Sequence, residues 1–128
     1  MHNALALMTQ VIPLASITAD ADVYGAYFPL KSKIVSAKLV NGANITASDT
    51  DKAVIQLKNG STLIASHSTA VTGGNGSLVA NTPADMTLSG SSNGGVNVDA
   101  GSWLKVNYDE SGTYAMTSAF VIVSYYPL

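Results

Sequence analysis

Ala53-Val54-Ile55-Gln56-Leu57-Lys58-Asn59-Gly60, followed by Leu63 and Ala65, carries the pattern of a β-hairpin. Ala53, Ile55 and Leu57 alternate with Gln56 and Lys58, which is the period of a strand with one buried face. Asn59-Gly60 then separates this run from a second one. An Asn-Gly pair between alternating runs is the strongest short hairpin signal, because both residues accept the positive φ of a type I′ turn.

The same grammar recurs along the chain. Ile34–Val40 places Val35, Ala37 and Leu39 on one face and Ser36 and Lys38 on the other. Further strands are expected at Thr9–Ile17, Val23–Pro29, Met86–Ser89, Val96–Val98, Trp103–Tyr108 and Ala119–Tyr126. Gly/Ser/Asn-rich loops separate them at Thr72–Ser77 and Ser89–Gly95. Asn81-Thr82-Pro83-Ala84-Asp85 suits a single helical turn, with Pro83 pre-set for its start. Seven to nine short strands at this spacing predict an all-β, antiparallel two-sheet β-sandwich, with the jelly roll as its expected form. Residues 1–19 read as an N-terminal arm or first strand, and residues 20–128 as a single β-sandwich domain.

Bulk composition agrees with one domain. The chain has 128 residues, and area scaling gives a folded surface of roughly 6,400 Å² against about 19,000 Å² unfolded. It is 47% hydrophobic but only 11% charged, against about 25% charged in an average globular chain. Little ionic surface is left to keep it soluble, and cover by copies of itself or by a partner accounts for that. Six lysines, no arginine and a net charge of −2 argue against a nucleic-acid or anionic-membrane partner. The absence of cysteine removes any disulfide framework or Cys-based zinc site. No apolar stretch reaches the length needed to span a bilayer, and the segment from Met1 to Ile17 has no basic n-region.

Two strands depart from the one-polar-face rule. In Ala119–Tyr126, Ala119, Val121, Val123 and Tyr125 share one face, and Phe120, Ile122 and Tyr126 share the other. In Val23–Leu30, alternation sets Val23 and Tyr27 against Tyr24, Phe28 and Leu30. Such strands are sealed in the sandwich or shared with another subunit. Trp103 falls with Lys105 and Asn107 on the polar side of its strand, opposite Leu104, Val106 and Tyr108. A tryptophan in that position is either an interface anchor or a cover over the rim of the same core.

Groups suited to catalysis are scarce. Gly90-Ser91-Ser92-Asn93-Gly94 matches the G-x-S-x-G pattern of a hydrolase elbow, but no histidine follows it and a strand, not a helix, comes next. His67 lies between two serines at a strand end and reads as an edge or turn residue. The pairs Asp20/Asp22 and Asp49/Asp51 offer oxygens to a hard cation, but the further ligands of an EF-hand are missing. Turn chemistry explains them as well. Thr72–Ser77 lacks the lysine and following helix of a phosphate loop. The sequons at Asn44, Asn59 and Asn75 fall in predicted turns. These readings predict no enzyme, no cofactor and no metal.

A larger pattern carries a resemblance. Gly25-Ala26-Tyr27-Phe28-Pro29 leads to Ile34-Val35-Ser36-Ala37-Lys38-Leu39-Val40-Asn41 and then a D-x-x-x-I-x-L strand ending at Asn59-Gly60. Beyond the Pro83 turn come Ala100-Gly101-Ser102-Trp103-Leu104, Lys105-Val106-Asn107-Tyr108 and a final strand closing on Tyr125-Tyr126-Pro127. This succession resembles small virion structural proteins of tailed bacteriophages, in particular capsid decoration (cement) proteins. The resemblance implies a jelly-roll or β-sandwich module, made in the host cytoplasm, that binds the major capsid protein on the outer surface of the head. It implies a homotrimer that stabilises the capsid without catalysis. Tyr24, Phe28, Trp103, Tyr125 and Tyr126 are the expected subunit-packing residues. The alternative is a receptor- or carbohydrate-binding sandwich of fibre-tip type, with Trp103, Tyr108 and Tyr114 as stacking aromatics.

Overall fold

In the computed structural model, which describes residues 6–89, 94–112 and 115–128, ten strands form two antiparallel sheets packed face to face. They are β1 (Met8–Ile17), β2 (Ala21–Phe28), β3 (Ser32–Val40), β4 (Lys52–Asn59), β5 (Thr62–Ser68), β6 (Ala84–Asp85), β7 (Thr87–Leu88), β8 (Val96–Val98), β9 (Ser102–Ser111) and β10 (Met116–Pro127). The first sheet has the order β1–β10–β3, with β6 and β8 both pairing along β3. The second has the order β2–β9–β4–β5–β7. Among the described strands, every consecutive pair except β4 and β5 lies on opposite sheets. The fold is a β-sandwich, and its accessible surface of 6347 Å² matches that of a compact chain of this mass.

Alternation builds the core. Ala53, Ile55 and Leu57 of β4 and Leu104, Val106 and Tyr108 of β9 all point inward and are fully buried. Facing them are Ile12 and Leu14 of β1, Ile34, Ala37 and Leu39 of β3, and Val121 and Val123 of β10. Phe28 and Tyr125 join the two sheets through an edge-to-face contact, with ring centroids 4.7 Å apart and planes at 76°. This is a favoured aromatic geometry.

Bulges re-aim side chains that simple alternation misplaces. Gly25 interrupts the β2–β9 register between Tyr24 and Ala26. An extra residue flips the parity beyond it, so Tyr24 and Tyr27 both face solvent while Ala26 and Phe28 turn inward. Val35 does the same in β3, where the register against β10 shifts between Ser36 and Ile34. Ile34, not Val35, therefore joins Ala37 and Leu39 in the core. In β5 the shift falls at Ile64, and Ile64 and Ala65 are both buried.

The hairpin forms where the sequence places it, with one change of turn. Asn59 pairs with Thr62 as a strand residue, leaving Gly60-Ser61 as the two-residue loop. Of the loop residues only Gly60 has positive φ, at 62°, which is the requirement of a II′ turn rather than a I′ turn. The segment around Pro83 also differs from its reading. It holds no helical turn: Asn81 is left-handed at φ 57°, and Ala84–Asp85 pairs with Leu39 and Lys38. Buried Met86 then carries the chain across the gap to β7 on the other sheet, so residues 84–88 close that side of the sandwich.

Candidate interaction surface

Solvent-facing apolar residues gather on one side and one end of the sandwich. Ten large hydrophobic residues are exposed among the described ones: Val71 and Val79 lie in the 69–83 crossover, while the other eight lie on or next to β1, β2, the start of β9 and the C-terminus. At the end, Leu7 and Met8 lead into β1 opposite Tyr125. Leu30 lies in the β2–β3 turn, and the Leu128 amide is held by the Lys31 carbonyl at 2.7 Å. Between them is a small, mostly apolar hollow of about 110 Å³ lined by Met8, Phe28, Pro29, Leu30, Tyr125 and Pro127 among others.

The adjoining outer face of the second sheet carries an aromatic group. Tyr27 stands opposite Trp103 across the β2–β9 ladder, and Tyr24 stands opposite Lys105. The Tyr24 and Trp103 rings lie 5.0 Å apart at 48°, and the Lys105 ammonium lies 5.8 Å from the Tyr24 ring centre. All three aromatics are more than half exposed. Asp22 anchors the polar side of the group, accepting from Asn107 Nδ2 at 2.7 Å and from Lys105 Nζ at 3.2 Å. The Asn107 hydrogen bond, followed by the one from Lys105, holds the Asp22 carboxyl below its ordinary pKa.

The five residues expected to pack subunits therefore separate. Tyr24 and Trp103 come together on the outer face, with Trp103 on the polar side of β9 beside Lys105 and Asn107. Phe28 and Tyr125 pack against each other inside this chain's own core. Tyr126 is half-buried on the outer face of the first sheet, opposite Lys33. Of the aromatics set aside for sugar stacking, Tyr108 is fully buried and cannot meet a ligand. Tyr114 and residues 90–93 of the G-x-S-x-G match lie outside the described residues. Tyr27 escaped the sequence reading because only the bulge at Gly25 brings it to the face of Tyr24. The glycine itself was the available signal, since an isolated glycine within a strand pattern marks a bulge.

Asp49 and Asp20 are engaged by groups of the chain itself, one joining two loops and the other a loop to β9. Both Asp49 oxygens are taken by Thr72, from its amide and its hydroxyl at 2.8 Å each, and the amide bond leads in lowering its pKa. Asp20 accepts the Glu110 amide at 2.9 Å. Among the described residues no group of three or more His, Cys, Asp or Glu side chains is placed to hold a metal ion.

His67 occupies the core, not an edge. Its register partner on β4 is Ile55, whose partner on β9 is Tyr108, so the three form one row across the interior of the second sheet. The ring is 2% exposed, and neither nitrogen has a partner of hydrogen-bond geometry. Burial pushes its pKa down, and the nearby backbone of Asp85 and Gly76 offsets this only in part. The ring is neutral at pH 7.

Comparison with protein-family models finds no match, and comparison with curated proteins finds none either.

Proposed function

We propose that this chain is a non-enzymatic structural protein of a tailed-phage virion, a capsid decoration protein that binds the major capsid protein on the outer surface of the head as a homotrimer and stabilises the shell. The observation that carries this reading is the gathering of exposed apolar residues at one end of a charge-poor sandwich: Leu7, Met8, Leu30 and Leu128 around the hollow beside Phe28 and Tyr125. Contiguous apolar surface of this kind marks a contact with another protein. The end patch is the subunit contact in this account, and Tyr126 with the half-buried Phe120 and Ile122 gives the outer face of the first sheet a second apolar strip for the capsid.

The strand order supports a jelly roll. Consecutive strands pass from sheet to sheet, giving β1–β10–β3 with β6 and β8 on one side and β2–β9–β4–β5 on the other, as expected of two interleaved Greek keys. The non-enzymatic reading is supported by the burial of His67 with no side-chain partner and by the engagement of Asp20, Asp22 and Asp49 in hydrogen bonds within the chain.

Co-sedimentation of the purified protein with empty phage heads, with and without Leu30→Asp, tests the reading. Saturable binding that the substitution abolishes is the expected result. Failure to bind expanded heads overturns it.

A further inference from the structure

We propose that the outer face of β2–β9–β4 is a saccharide-binding platform, and that its ligand is an oligosaccharide bearing acidic groups. The face is ordered in rows by the strand register. Tyr27 and Trp103 form the first, Tyr24, Lys105 and Lys58 the second, and Asp22, Asn107 and Gln56 the third. From Trp103 to Asn107 is four strand residues, or about 13 Å, the length of a short oligosaccharide.

A sugar ring has an apolar face of C–H groups and a rim of hydroxyls. It needs an aromatic surface beside groups that donate and accept hydrogen bonds. Tyr24 and Trp103 supply two ring faces set at 48°, and Tyr27 extends them. Asn107 and Gln56 offer amide groups alongside, and the Asn107 side chain is already oriented by Asp22 at 2.7 Å.

Charge narrows the ligand class. Lys58 and Lys105 are direct cross-strand partners, an arrangement that destabilises a sheet unless an anion offsets it. Asp22 is bonded to Lys105 at 3.2 Å, so one lysine has its counter-charge and the face keeps a net positive charge within a chain of net charge −2. An acidic sugar supplies the balance. The same charged groups disfavour a second copy as occupant, because ionic residues are depleted from the centre of protein–protein contacts. Six lysines, no arginine and a net charge of −2 disfavour a nucleic acid.

Trp103 is the chain's one tryptophan, so its fluorescence reports on the platform directly. The probes are sialyllactose and tri-galacturonate, with maltotriose and chitotriose as neutral controls and an oligothymidylate as the nucleic-acid control. Saturable change with an acidic sugar is expected, with Tyr24→Ala weakening binding about tenfold, the equivalent of one lost stacking contact. Lys58→Gln is expected to weaken acidic sugars severalfold while leaving the mass unchanged and the melting temperature no lower, since it removes one charge of a like-charged cross-strand pair. The proposal is overturned if no acidic sugar binds at millimolar concentration, if neutral sugars or the oligonucleotide bind as well, or if Tyr24→Ala changes the protein's mass in solution.

Discussion

The side-chain amide of Gln10 pairs with both backbone groups of Tyr27: Nε2 donates to the carbonyl at 2.7 Å, and Oε1 accepts from the amide at 3.1 Å. Gln10 lies on β1 of one sheet and Tyr27 on β2 of the other, so one side chain stands in for a missing strand residue between two sheet edges. Edge strands with unpaired backbone groups are sites of unwanted pairing. Gln10→Leu is expected to lower stability by about 1 kcal/mol, the usual net value of lost hydrogen bonds at a partly solvated site. It is also expected to raise the hydrogen-exchange rate of the Tyr27 amide. Unchanged exchange at Tyr27 would show that the pairing does not hold the edge.

Gly25 seals the same side by close approach. A Cβ at this position would come within 2.7 Å of Ile12 Cγ2, a methyl on a stiff β-branched side chain in the core. Overpacking of this kind costs about 1–3 kcal/mol. Gly25→Ala is therefore expected to lower the urea midpoint without changing the slope of unfolding. A variant as stable as the parent would mean that β1 and β2 are not packed this closely.

Phe28 and Trp103 make opposite predictions although both are large aromatics near the same end. Phe28 is fully buried against Tyr125, so Phe28→Ala is expected to cost about 3–5 kcal/mol and to leave little folded protein at 37 °C. Trp103 is 57% exposed, so Trp103→Ala is expected to cost less than about 1 kcal/mol, as surface changes do. Denaturation curves of the two variants decide the matter, and equal losses would contradict the separation of core and surface aromatics.

His67 gives the chain a defined response to acid. Its folded pKa lies below the ordinary value of 6.5, so the unfolded chain binds the proton first as pH falls. Stability contributed by the neutral ring is present above about pH 6.5 and is lost as pH drops toward the folded pKa. The lowered carboxyl values of Asp22 and Asp49 add losses at lower pH, below their unfolded value near 3.8. His67→Leu is expected to flatten the melting temperature between about pH 7 and pH 5. A variant with the parent's slope in that window would assign the response to other groups.

Much of the sandwich was legible because alternation and turn chemistry are local. Ala53, Ile55 and Leu57 read as one buried face and are one, and Trp103 reads as outward and is outward. What escaped was set by bulges. A single extra residue at Gly25 or Val35 reverses parity beyond it, which separated Tyr24 from Phe28 and exchanged Val35 for Ile34 in the core. The burial of His67 was hidden for a different reason. Its serine neighbours look like a strand end, and the backbone at Gly76 and Asp85 that approaches the ring comes from a segment well beyond it in sequence. The apolar end was illegible because Met8, Leu30 and Pro127 are far apart in sequence and line one hollow only through the closure of the strands.

Assembly through that end sets the mass of the purified protein in solution, which light scattering measures. The expected result is a trimer, near three times 13.1 kDa, that Leu30→Asp reduces to a monomer. A parent protein that stays monomeric at high concentration would contradict it.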